Sequence, residues 1–430
     1  MLPARLQCGM VNDGCNGPNG HGGRSCSNTA RFVAVSRIAY AWELGGGFGH
    51  IGPFLPLARA LRQRGHDVQC VVARVDLARQ LAGDDFAWIP APVFPEALRQ
   101  GSPLSYSDIL LRFGYAQADE LYGLVQRWRD IFRQTGAAIV VADHAPTAML
   151  AARTLGLPVL LFSSAFCVPP RLQPLPAMRP WHALPSGTLE GLDGQVLCSI
   201  NAVLQRFGQA PLQSVGQLFD VAEDSLLGFP ELDHYADRGP ARYWGNLPAA
   251  GGGATLRWPG QPGKRVFAYL RTESLHHEAA LSALVALGQP SFVFFPEAPQ
   301  GMIERHAAPH MAFSRDPIDL ASAMRDADAG ITYANLSTTT GLLLNGKPGL
   351  TLPVQLEQFL LARRVEEMGA GLLVHPEQGA DDLPEKLRRI LFDAEFAQNA
   401  RAFARKYAAF PQTAVIGNIV RRIEELVAPA

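Results

Sequence analysis

His50 stands in the run GGGFGHIGP (45–53), between an apolar stretch and a long amphipathic one. An imidazole presented from a glycine-rich strand-to-helix turn can serve as a general base, because small neighbours leave it open to a substrate. Asp143 closes the apolar run of VVADHAPTAML. A carboxylate there can accept the imidazole N–H and fix its tautomer. His144 is a rival, and Asp143 as a plain cap of the next helix is an equally good reading. Farther on, Ser337, Thr338 and Thr339 follow the run ITYANL. Hydroxyls and free N–H groups at a helix start bind phosphate, although ordinary caps look the same. Glu357 and Gln358 follow Pro353 in PVQLEQ. A carboxylate beside an amide accepts and donates at once, which suits sugar hydroxyls, while any helix N-terminus also favours acids.

The glycine run has a second reading. Gly47, Gly49 and Gly52 spell G-x-G-x-x-G, a dinucleotide-binding turn. That turn needs an acid after the second strand, and VVARVD offers Arg74 at the strand end with Asp76 beyond it. Pro53 fits the first turn of a helix, which puts His50 at or just before the helix start. The helix dipole there is expected to lower its pKa and keep the base neutral.

These residues need elements to carry them. RIAYAWEL reads as a buried strand, FLPLARALRQR as a helix stopped by Gly65, and DVQCVVA as the next strand. AAIVVAD, PTAMLAARTL and PVLLFSS repeat this grammar. Residues 167–215 are proline-rich with few clear periods and suit a variable lid. After the Gly/Pro-rich stretch 242–264 the strand–helix alternation restarts, through RVFAYL, SFVFF, AGITYA and GLTLP. Strand–helix–strand units imply parallel sheets covered on both faces. The expected division is a disordered leader 1–34, a first Rossmann-like domain 35–240, a linker 241–263, a second such domain 264–412, and a C-terminal helix 413–430 that crosses back. The irregular leader also suggests a native start near Val33.

Composition narrows the classes. The 430 residues are 48% hydrophobic and 18% charged with a net charge of −1, so large cores are affordable and no nucleic-acid footprint is present. No apolar run spans a bilayer, and no signal-peptide core precedes the first strand. The six cysteines, Cys8, Cys15, Cys26, Cys70, Cys167 and Cys198, show no C-x-x-C spacing, so neither zinc nor a redox pair is expected. The expected location is the cytoplasm, with peripheral contact at the inner membrane face left open.

Strand, G-x-G-H-x-x-P, helix and the RGHDV strand together resemble the opening of nucleotide-sugar glycosyltransferases of the GT-B fold, such as antibiotic-tailoring, plant and UDP-glucuronosyl transferases. The run GKPGLTLPVQLEQFLLARRVEEMGAG resembles their donor-binding motif and is the more specific signal. The resemblance implies an α/β chain of two doubly wound Rossmann-like domains facing across a cleft. It implies His50 as the base, Asp143 as its orienter, Glu357 and Gln358 on the donor sugar, and Thr338 near the diphosphate. The activity implied is inverting, metal-independent transfer from a nucleotide-diphosphate sugar, such as a UDP sugar, to a hydroxyl of a small or lipid-like acceptor, with no cofactor. The acceptor is expected against residues 90–130 and 165–215. Two positions depart from the motif. Tyr333 stands at the usual phosphate histidine, with Ala334–Asn335 at two glycines, and Gly341 stands at the ribose glutamate. That erosion motivates an alternative, a catalytically silent GT-B protein that binds nucleotide sugar or acceptor for a partner. A nicotinamide-dependent oxidoreductase rests on the glycine triplet alone.

Overall fold

Strand β1 (Arg37–Trp42) is buried along both faces after its first residue, which suits the middle of a parallel sheet. The computed structural model describes residues 35–95, 101–236, 238–247 and 253–428; the expected leader and part of the expected linker lie outside them. Val35–Ala430 form one unit by their contacts. The first sheet adds β2 (Asp67–Val72), β3 (Trp88–Pro90), β4 (Ile139–Asp143) and β5 (Val159–Leu161) in the order β3-β2-β1-β4-β5, all parallel. A short pair, β6 (Leu226–Leu227) and β7 (Tyr243–Gly245), follows. The second sheet holds β8 (Val266–Tyr269), β9 (Ser291–Phe294), β10 (Met311–Ser314), β11 (Ala329–Thr332), β12 (Gly349–Thr351) and β13 (Gly371–Leu373). Its order is β10-β9-β8-β11-β12-β13, again all parallel. The α/β class with two doubly wound sheets is as expected.

Alternation along β1 builds two cores at once. Ile38, Tyr40 and Trp42 face one, and Ala39 and Ala41 face the other. The alanines leave room for Trp128 and Phe132 on the helix Ala118–Thr135. On the other face the C-terminal helix Val415–Val427 brings Val415, Ile419, Val420 and Ile423 back onto the first sheet. Arg64 fixes that helix with a two-pronged bond to Glu424, at 2.6 and 2.9 Å. No helix among the described residues is long and apolar enough to cross a membrane.

The region 167–215 is more regular than its prolines suggest. Helix Thr188–Arg206 runs through it, burying Val196, Ile200, Val203 and Leu204. Gly191 and Gly194 dilute its apolar periodicity, and tertiary packing overrides them.

Each sheet has one place where the strand order reverses. In the first it lies between β1 and β4, and in the second between β8 and β11. Open α/β sheets bind ligands outside the carboxyl ends of strands at these points. Every candidate residue ends or follows one of the strands β1, β4, β11 and β12.

Candidate active site

The helix carrying His50 starts earlier than the proline suggested. It spans Phe48–Gln63, with Gly47 as N-cap at φ 82, and both Pro53 and Pro56 lie inside it. His50 therefore sits in the first turn rather than before it. Pro53 cannot donate to the carbonyl of Gly49, so this opening turn is held mainly by packing. One turn after His50, Phe54 stacks on Tyr40 of β1 with ring centroids 3.6 Å apart.

Trp42 and Asp143 are register partners across β1 and β4, so the loop after β1 opens beside the Asp143 carboxylate. His50 Nδ1 lies 3.0 Å from Asp143 Oδ1. Tyr40 donates its hydroxyl to Asp143 Oδ2 at 2.9 Å. Both carboxylate oxygens are engaged, which fixes the carboxylate plane and selects the tautomer with its proton on Nδ1. Nε2 is left with a free lone pair. Trp42 stacks against the His50 ring at 5.1 Å. At Gly45, with φ 85, an added Cβ would stand 2.6 Å from His50 Nε2. The close glycine is thus Gly45. At Gly47, Gly49 and Gly52 a Cβ would meet nothing within 4 Å.

The expected lowering of the His50 pKa is not what the site produces. Burial does push its pKa down, but the Asp143 charge, the Asp143 hydrogen bond and the charge of Glu357 together raise it above 6.5. Two full carboxylate charges outweigh a half-charge of helix dipole. The alternative role for Asp143 is taken by another acid. The helix Pro146–Leu155 has Ala145 as N-cap with no side-chain cap. Glu43 Oε2 instead accepts from Thr147 N at 2.8 Å and from Ala148 N at 3.4 Å. Sequence reasoning passed over Glu43, although it is the one acid ending the apolar run of β1.

Burial raises the Glu43 pKa to about 7, against the bonds from Thr147 and Ala148. A carboxyl that holds its proton more tightly when folded stabilises the fold fully below its unfolded pKa near 4.5, and that contribution fades as pH rises through about 7. The difference is worth roughly 3 kcal/mol. Glu43→Gln is expected to remove this component, so its melting temperature should fall less than that of the parent between pH 5 and 8, as a pH series of thermal melts would show.

His144 is no rival as base. It is buried with its Nε2 unpartnered among the described residues, and burial together with the neighbouring His50 pushes its pKa down to about 3. Its backbone is left-handed, at φ 44. Its ring lies 6.2 Å from His50 and 6.0 Å from Tyr106.

The second sheet supplies the other candidates. After β11, Ala334 takes φ 60, a conformation natural to glycine, and its N–H is held by Thr332 Oγ1 at 3.1 Å. The helix Leu336–Leu344 follows, with Asn335 rather than a serine as N-cap. Asn335 makes no side-chain cap and donates instead to Thr338 Oγ1 at 3.0 Å. The opening N–H groups are therefore not closed by a side chain, the condition for holding an anion. Ser337 is half-buried, while Thr338 and Thr339 are buried, and Thr339 Oγ1 has no partner among the described residues. Tyr333 packs against Tyr269, with Arg271 5.9 Å from its ring. A Cβ at Gly341 would collide with Met324 Sδ and Cε, so the thioether occupies the space beside this glycine.

Glu357 and Gln358 open the helix Leu356–Glu367 but do different things. Glu357 Oε1 accepts from Ser164 Oγ at 3.0 Å, a bond between the segment after β5 and the helix Leu356–Glu367. Gln358 turns back to accept from Val354 N at 2.8 Å and so shapes its own loop. The structure thus brings His50, Asp143 and Glu357 together, with Ser164 and Tyr40 as partners that the sequence did not suggest.

No family model matches the chain, and no curated protein matches it. Solved structures do. The glycosyltransferase SsfS6 of Streptomyces sp. SF2575 aligns over 90% of this chain and 99% of its own, at 20% identity and TM-score 0.60. VinC, solved in complex with DTDP, aligns over 90% and 100% at 18% identity and TM-score 0.62. The glycosyltransferase of kitacinnamycin aligns over 92% and 100% at 17% identity and TM-score 0.66. The chain has the GT-B fold. Within a GT-B frame, the first sheet carries the imidazole–carboxylate pair and the second carries the open helix start and Glu357.

Proposed function

We propose that the chain is an inverting glycosyltransferase acting on a nucleoside-diphosphate sugar and a hydroxyl-bearing acceptor. The observation that carries this reading is the His50–Asp143 pair, at 3.0 Å, with its free Nε2 in electrostatic reach of Glu357. His50 Nε2 takes the proton of the acceptor hydroxyl, and Asp143 stabilises the imidazolium that forms. The acceptor oxygen attacks the anomeric carbon from the face opposite the leaving diphosphate, which inverts its configuration. The diphosphate charge is met by the N–H groups opening the helix Leu336–Leu344, beside Ser337, Thr338 and Thr339, without a metal. Glu357 binds sugar hydroxyls, and Gln358, whose Oε1 holds Val354 N, offers its amide N–H groups to them. In this reading residues 35–240 serve the acceptor and 264–412 the donor.

The absence of a ribose carboxylate at Gly341 removes a charged hydrogen bond worth about 1.5–3 kcal/mol, or one to two powers of ten in donor affinity. That is a loss of affinity, and it leaves the base pair untouched. For this reason the catalytically silent alternative is the weaker one. In this reading the acceptor lies toward Tyr106, His144 and Phe166, whose rings join the segments expected to hold it; a hollow lined by Leu104, Ala177, Arg179, His182 and Leu184 in the same segments supports this.

Thermal-shift titration with dTDP, UDP and their glucose conjugates, followed by a product assay over a hydroxylated acceptor panel, tests the reading. Stabilisation by a nucleotide with sugar transfer supports it. Stabilisation without any transfer favours the silent alternative. Gly45→Ala should place a methyl group against His50 Nε2 and lower turnover on the order of 10²-fold, with nucleotide affinity unchanged, as steady-state kinetics would show.

A further inference from the structure

His234 is a buried imidazole that the proposed mechanism does not use. It is 6% exposed, and neither Nδ1 nor Nε2 has a hydrogen-bond partner among the described residues. A neutral imidazole carries one N–H and one lone pair, and burying both unmatched is costly.

The segment around His234 is firmly held. Asp233 accepts from Tyr235 N at 2.8 Å, from Tyr243 Oη at 2.7 Å and from the Arg238 guanidinium. Arg238 also donates to the carbonyl of Ala165 at 3.0 Å, tying this loop to the strip after β5. That strip reaches the candidate site at both ends. Ser164 donates to Glu357, and Phe166 lies edge-on to the His234 ring at 5.8 Å and to the His144 ring at 6.2 Å. The turn Pro230–Leu232, just before His234, packs on the helix Leu356–Glu367 that carries Glu357. The imidazole feels the charges of Glu357, Asp233, Arg238 and Arg364, and burial, the largest influence, keeps it neutral. His234 is thus a fixed, uncharged donor and acceptor between the Ser164–Phe166 strip and the Glu357 helix.

We infer that His234 is a specificity-determining ligand of the donor sugar, hydrogen-bonding one hydroxyl of the transferred hexose beside Glu357. This rests on the glycosyltransferase reading. A sugar hydroxyl can give or take a hydrogen bond and so pair with one of the two imidazole nitrogens, and a deoxy sugar would leave that nitrogen as unmatched as it is without ligand. Sites built in this way discriminate strongly against the analogue that lacks the group.

Calorimetric binding of dTDP, dTDP-glucose and its 2-, 3-, 4- and 6-deoxy forms tests this without an acceptor; the UDP series replaces them if UDP binds more tightly. In the parent, one deoxy form is expected to bind at least about 10-fold more weakly than the glucose conjugate. His234→Phe keeps the ring against Phe166 and removes both nitrogens. It should close that gap while leaving the affinity for the free nucleotide unchanged. His234→Gln, which keeps a donor and an acceptor, should retain part of the gap and serves if the Phe variant does not fold. A gap that survives in His234→Phe, or no gap in the parent, overturns the assignment. Failure of the parent to bind any of these sugar nucleotides overturns the glycosyltransferase reading as well.

Discussion

Replacing His50 with alanine is expected to lower sugar transfer by about 10²–10⁴-fold, the usual contribution of a positioned general base. In free energy that is roughly 3–5 kcal/mol of barrier. The affinity for the nucleotide should not change, because the imidazole belongs to the first sheet and the helix start proposed to meet the diphosphate belongs to the second. Loss of rate with unchanged nucleotide binding therefore separates a chemical role from a structural one. His50→Gln serves as the control for packing against Trp42, whose ring lies 5.1 Å from the imidazole. Steady-state turnover and nucleotide titration on the same preparations check the split. Parental turnover in both variants would remove His50 from the chemistry.

Asp143→Asn carries the second large effect, and its signature is a pH profile. A base works only when unprotonated, so activity should fall as pH drops through the pKa of His50, which lies above 6.5. Burial alone pushes that pKa down, and the Asp143 charge and hydrogen bond push it up. Removing the charge lets burial gain ground, so the acidic limb of the profile should move to lower pH. Turnover at its plateau should still fall, on the order of 10²-fold or more, because the imidazolium formed in the reaction loses its counter-charge and the tautomer is no longer enforced. Tyr40 can keep its hydrogen bond to the asparagine oxygen, so the side chain stays in place. A lower rate with an unmoved acidic limb would mean that Asp143 does not act through His50. A pH series of turnover for parent and variant settles the point.

Much of the frame was legible in the sequence, because alternating buried strands and helices carry strong periodic signals. RIAYAW, DVQCVV and IVVAD fall on β1, β2 and β4. The helix Thr188–Arg206 was hidden by its two internal glycines among prolines. At the site, residue types at strand ends pointed to His50, Asp143 and Glu357. What stayed illegible depends on register between distant strands and on which face of the sheet a side chain leaves. Glu43 looks like a loop acid, yet it caps a helix that follows β4 and so frees Asp143 for His50. Ser164 and His234 carry no motif, and only the fold brings them to the helix of Glu357. The direction of the His50 pKa shift was misjudged for the same reason. The dipole of its own helix is a local feature that the sequence displays, while Asp143 and Glu357 reach it only through tertiary structure.

The central claim is a single displacement driven by the His50–Asp143 pair, and it fixes the stereochemistry of the product. Proton NMR of the reaction with an α-linked nucleoside-diphosphate glucose and an accepted hydroxyl compound reads the anomeric configuration directly. The account predicts a β-linked glucoside, formed as the nucleoside diphosphate is released. An α-linked product, or a donor left intact with every acceptor in a broad panel, would contradict it.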